Sequence, residues 1–103
     1  MNLRLSLFLL AAALGTTAPA LASPELAQRK NCMNCHQVDK KVIGPAFKDI
    51  AARYAGQKDM ADRLAQKVVK GGAGAWSQVP MPANPQVSEA EARQLVGWIL
   101  GLK

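Results

Sequence analysis

From residue 23 onward the apolar residues recur at helical spacing rather than strand spacing. Phe47, Ile50, Ala51 and Tyr54 stand at i, i+3, i+4 and i+7, with Pro45 before them and Gly56 after, which predicts a helix between those two markers. Met60, Leu64 and Val68, flanked by Ala61, Ala65 and Val69, make a second stripe that stops at Gly71-Gly72. Ser88 and Glu91 have the spacing of a capping box, and Ala92, Leu95, Val96, Ile99 and Leu102 then repeat on one face. A further helix is expected from Ser23-Pro24-Glu25, read as N-cap, first-turn proline and an acid near the positive helix end. It should run into Cys32, so that the cysteines close its last turn. Gly71 to Gln86 holds three glycines and three prolines and should wrap as a loop. No stretch alternates convincingly with period two and no segment repeats, so the expected fold is all-α, about four helices.

The first residues follow a different rule. Arg4 and the apolar run Leu5 to Leu14 lead into Ala20-Leu21-Ala22, the layout of a secretory signal with a small-x-small cleavage site. The run is shorter than the roughly 20 apolar residues that a membrane span needs. Residues 1–22 are therefore expected to be cleaved on export, leaving one soluble domain over 23–103; Ala18-Pro19-Ala20 offers a second cleavage site.

Composition sharpens this picture in two ways. Lys and Arg outnumber Asp and Glu by 13 to 7, a formal net charge of +6, and only Arg4 leaves with the signal. Such a balance suits nucleic acid, an anionic membrane or an acidic protein; export argues against nucleic acid, and the basic residues are scattered as on an ordinary solvated surface. The core is the more informative feature. Beyond residue 22 the only aromatics are Phe47, Tyr54, Trp76 and Trp98, little for a domain this small, and the two cysteines are too close together for a disulfide framework. A covalent cofactor would supply the missing apolar bulk.

Cys32-Met33-Asn34-Cys35-His36 provides its anchor. C-x-x-C-H is the attachment signature of haem c. Two intervening residues in a helical turn separate the thiols enough to meet two vinyl groups on one porphyrin edge, and the next residue, His36, then faces the iron as proximal ligand. A thioredoxin-type dithiol would sit at a helix start after a strand, and no strand pattern precedes these cysteines. A zinc site would need four good ligands, and the chain has two thiols and one histidine.

Because His36 is the only histidine, a second imidazole ligand is excluded, and a methionine or an open position remains. Met33 lies in the attachment turn and cannot reach the far face of the haem, Met60 falls on an apolar helix stripe, and Met1 leaves with the signal. Met81 stands between Pro80 and Pro82, which restrict the unfolded loop and lower the entropy cost of presenting one side chain. It is the candidate sixth ligand.

Beyond the signal the chain resembles the short bacterial class I cytochromes c over almost its whole length: CMNCH, VIGPAFKDIAARYAG, KGGAGAWSQVPMPAN and a terminal helix ending WILGLK. The resemblance implies the small class I fold wrapped around one covalent haem, and it implies Met81 as ligand. It further implies that the Pro45 carbonyl accepts a hydrogen bond from the non-ligating nitrogen of His36, that Lys67 and Trp76 contact a haem propionate, and that Asn84 steadies the methionine. An arginine is common in the family where this chain has Lys67, so a bidentate contact is lost there. Phe47, Ile50, Leu64, Val68, Leu95 and Ile99 are expected to line the haem crevice, and Gly97 and Trp98 to sit where the first and last helices cross.

With both axial positions filled, only an electron can be exchanged at the iron, so the expected function is a monomeric periplasmic one-electron carrier between respiratory redox proteins, not an enzyme. The haem edge would dock through Met33, Val42, Val79 and Pro80, with Lys30, Lys40 and Lys41 nearby to attract an acidic partner surface. The competing readings are a peroxidase or gas sensor with an open sixth position, and a haem subunit that works only inside a larger oxidoreductase.

Overall fold

The last amphipathic stripe becomes α4 (Glu89–Leu100), and the other helices assemble against it. The computed structural model describes residues 21–103, so most of the expected signal lies outside the described residues. Before α4 come α1 (Ser23–Arg29), a single 3-10 turn at Cys32–Asn34, α2 (Phe47–Arg53) and α3 (Met60–Lys70). Among the described residues there is no β-strand. Two isolated antiparallel bridges occur, His36 with Lys41 and Gly72 with Met81.

α4 starts where its chemistry says it should. The Glu91 amide donates to Ser88 Oγ at 3.1 Å, and the Ser88 amide donates to Glu91 Oε1 at 3.0 Å, so two otherwise orphaned donors are satisfied reciprocally. Ala92, Leu95, Val96 and Ile99 are buried. They join Leu26 and Ala27 of α1, Ala65 of α3 and Val87 in the hydrophobic core.

Three expectations are corrected. Ser23 is the first residue of α1 rather than its cap; Ala22 holds the cap position with no side-chain bond. α1 also ends before the cysteines, because Asn31 takes the left-handed conformation (φ 66°), which asparagine tolerates better than most residues, and the attachment motif turns away on its own 3-10 turn. Gly97 is exposed, and a Cβ built there would meet no described atom within 4 Å, so it permits no close helix crossing. Ala27 of α1 and Ala92 of α4, both 0% exposed, lie together in the core instead. Trp98 packs edge-on against Phe47 of α2, with ring centroids 5.6 Å apart.

Leu21 and Ala22 are in use at the other end of the chain. The Leu21 carbonyl accepts from Gln94 Nε2 at 2.8 Å, and the Ala22 carbonyl accepts the Leu26 amide at 2.9 Å.

Candidate functional site

Within the attachment turn the amides of Cys35 and His36 both point to the Cys32 carbonyl, at 3.2 and 3.1 Å. The Cys35 carbonyl in turn accepts the amides of Ile43 and Gly44, at 3.2 and 2.7 Å, folding the following loop back under the motif. That fold carries Pro45 to His36, whose Nδ1 lies 2.8 Å from the Pro45 carbonyl. A carbonyl can only accept, so Nδ1 carries the proton and Nε2 keeps a free lone pair, the form in which imidazole binds a metal. The ring is buried and stacks on Phe47 with centroids 5.0 Å apart. Its other side faces Gly44, where a Cβ would come within 2.5 Å of His36 Cε1.

The Cys32 thiol is pushed up by burial, against a backbone hydrogen bond that lowers it and with a smaller rise from Cys35. A thiol so disposed is a poor nucleophile at neutral pH, which argues against a dithiol redox centre.

The loop that presents Met81 is fixed through its backbone. The Met81 amide donates to the Gly72 carbonyl at 2.7 Å and the Gly72 amide returns to the Met81 carbonyl at 3.0 Å, pinning the methionine to the end of α3. Gly71 makes this approach possible. Its φ is 74°, and a Cβ there would lie 2.6 Å from the Met81 carbonyl oxygen. Asn84 continues the clasp: its amide donates to the Val69 carbonyl at 3.1 Å, and Nδ2 donates to the carbonyls of Val68 at 2.8 Å and of Pro82 at 3.3 Å. It therefore steadies the residue next to Met81 through main-chain oxygens.

Between the attachment turn and the methionine loop lies a cavity of about 350 Å³. Phe47, Ile50, Leu64, Val68, Leu95 and Ile99 form its apolar wall, all six as expected. Cys32, Cys35, His36 and Met81 supply its sulfur and nitrogen donors, and Pro45, Lys67, Trp76 and Asn84 also line it. α3 shows why: Leu64 and Val68 belong to its apolar stripe and pack against the core, yet stay half-exposed because each also lines the cavity.

The Cytochrome c family model matches residues 21–103. The chain belongs to the cytochrome c family. It is 50% identical over 96 residues to cytochrome c-552 of Hydrogenobacter thermophilus, covering 93% of this chain and 97% of that protein. It is 52% identical over 93 residues to cytochrome c-552 of Nitrosomonas europaea, covering 90% of each. The crystal structure of wild-type Nitrosomonas europaea cytochrome c552 superposes with a TM-score of 0.76 at 54% identity, covering 78% of this chain and 99% of that one. As a member of this family the chain carries one covalently attached haem c and is an electron carrier. Its own residues fit the group: two thiols at the attachment spacing, one imidazole with a free nitrogen, one thioether, and an apolar wall.

The rim of the cavity holds a residue that the sequence did not single out. Arg53 lies over the Trp76 ring at 4.4 Å and the Tyr54 ring at 5.4 Å, and its Nη1 donates to the Ala75 carbonyl at 2.6 Å. Trp76 thus stands at the rim, braced from outside, rather than filling the core. Gly71 was legible only as a helix stop and Gly44 was given no role, since the atoms that crowd them come from elsewhere in the fold. Of the expected docking residues, Val42, Val79 and Pro80 are exposed while Met33 packs partly against the core. Lys30 is not a free docking charge. Its Nζ donates to the Gln86 carbonyl at 2.8 Å and pairs with Glu91 at 3.4 Å.

Proposed function

We propose that the protein is an exported one-electron carrier whose haem c is attached through Cys32 and Cys35 and ligated by His36 and Met81. The observation that carries this reading is the convergence of those four donors on one apolar cavity, with the His36 tautomer set by Pro45. Bound haem c supplies a ferric/ferrous couple that exchanges one electron at the exposed porphyrin edge. The residues around it do the rest. Phe47 and Pro45 hold the imidazole, Gly72 and Asn84 hold the methionine, and the apolar wall excludes water. Lys67 and Trp76 contact the haem propionates in this reading, which their position on the cavity lining supports.

Residues 1–22 act as the export signal in this reading, which places the carrier in the periplasm; no helix among the described residues is long and apolar enough to cross a membrane. Val42, Ile43 and Val79, between 44% and 57% exposed, form an apolar patch beside the cavity with Lys40 and Lys41 exposed next to it. Such a patch suits brief, low-area docking with an acidic redox partner. Replacing Met81 tests the ligation. Met81→Ala is expected to lower the reduction potential and to let ferrous protein bind carbon monoxide rapidly, with the helices retained. An unchanged potential and unchanged carbon monoxide binding would exclude Met81 as ligand.

A further inference from the structure

The methionine loop and the attachment segment lie on opposite sides of the cavity, and one exposed side chain joins them. Gln86 Nε2 donates to the Lys30 carbonyl at 3.1 Å and to Asn84 Oδ1, also at 3.1 Å. Lys30 answers by donating Nζ to the Gln86 carbonyl at 2.8 Å. The Lys30 carbonyl belongs to the residue before Asn31, where α1 breaks to release the Cys32 turn. Asn84 is the residue whose amide nitrogen holds the Pro82 carbonyl beside Met81.

The direction of every bond in this chain is fixed by chemistry. The Val68 and Pro82 oxygens can only accept, so Asn84 must present its NH₂ to them and its oxygen to Gln86. The Lys30 carbonyl can only accept too, so Gln86 must present its NH₂ there, and the same nitrogen faces Asn84 Oδ1. Each amide locks the orientation of the other.

We infer that Gln86 is a positioning residue for the Met81 loop, a latch that holds the Asn84 amide in its donating orientation and ties that loop to the segment bearing the attachment turn. This rests on the His36/Met81 reading above. Without the latch Asn84 keeps its bonds to the Val68 and Pro82 carbonyls but loses its tie to the Lys30 segment, and the loop carrying Met81 opens more often while the rest of the fold stays closed.

The test uses the holoprotein and reads loop opening as the rate at which ferrous protein takes up carbon monoxide. Gln86→Glu replaces the donating NH₂ by an oxygen set against two acceptors, the Lys30 carbonyl and Asn84 Oδ1; Gln86→Leu removes both bonds altogether. Both should speed uptake roughly fivefold, the factor expected for one net hydrogen bond. Ala52→Gly, at an exposed interior position of α2 whose residues make none of the latch's bonds, is the destabilised control and should lower the melting temperature without speeding uptake. The proposal is overturned if both Gln86 variants take up carbon monoxide at the wild-type rate while wild type keeps the far-red absorption of thioether-ligated ferric haem. That result would leave the ligation reading intact. Equal acceleration in Ala52→Gly would also overturn it, by showing that global stability sets the rate. If wild type lacks the far-red band and binds carbon monoxide at once, the ligation reading fails and the latch fails with it.

Discussion

Gly44→Ala places a methyl group against the imidazole that the cavity depends on. The new Cβ would stand 2.5 Å from His36 Cε1, 2.9 Å from Nδ1 and 3.0 Å from Nε2, whereas ordinary contacts begin at 3.4 Å. Backbone or ring must therefore retreat by about 1 Å. The ring cannot retreat freely, because Phe47 stacks on it and Nδ1 is bonded to the Pro45 carbonyl at 2.8 Å, a bond that such a shift would break. Overpacking of this kind costs about 1–3 kcal/mol and the lost hydrogen bond about 1 more, so the total is about 2–4 kcal/mol. For a domain of this size each kcal/mol is worth roughly 4–8 °C, which puts the expected fall in melting temperature at about 8–32 °C. Thermal unfolding of ferric holoprotein followed by far-UV circular dichroism reads it directly. A Gly44→Ala protein that melts within about 3 °C of wild type would refute the claim that this glycine seats the histidine.

Gly97 offers the opposite case: in mid-helix with open space at its Cβ, Gly97→Ala should stabilise by up to about 1 kcal/mol, and a lower melting temperature would restore the tight helix crossing withdrawn above. Glu91 contributes on the acid side. The Ser88 backbone amide, with help from Lys30, holds its carboxyl below the ordinary 4.5, so its contribution is complete above that value and is lost as pH falls through the lower native one. Glu91→Gln should flatten this part of the acid unfolding curve, and an unaltered curve below about pH 4.5 would dismiss the linkage. Lys40→Ala with Lys41→Ala should slow electron transfer to an acidic partner at low ionic strength and flatten its salt dependence; an unchanged salt dependence would make these lysines solubilising charges only.

What the chain reveals without coordinates follows from the range of each interaction. The capping box of α4 was legible because both partners lie within four residues, and C-x-x-C-H because its chemistry sits inside one turn. The six wall residues were legible from helical phase, since one face of each stripe had to meet whatever filled the centre. The end of α1 was not. Arg29, Lys30 and Asn31 carry the marks of a helix end, but only the left-handed turn at Asn31 and the tie of Lys30 to Gln86, 56 positions away, decide between stopping there and running on into Cys32. The bracing of Trp76 by Arg53 and the crowding of Gly71 by Met81 likewise join residues that only the fold brings together. A glycine near a helix crossing suggested close approach at Gly97, yet its Cβ position meets open space, and the fully buried small residues of α1 and α4 are Ala27 and Ala92.

The central claim is a closed iron site between His36 and Met81, and one visible spectrum of the wild-type ferrous protein, taken with and without carbon monoxide, tests it most directly. The account predicts the narrow bands of six-coordinate ferrous haem c, nearly unchanged within minutes of adding the gas, because the thioether occupies the position the gas would need. Rapid, stoichiometric conversion to a carbon monoxide complex would contradict it and would establish an open site in place of a carrier's closed one.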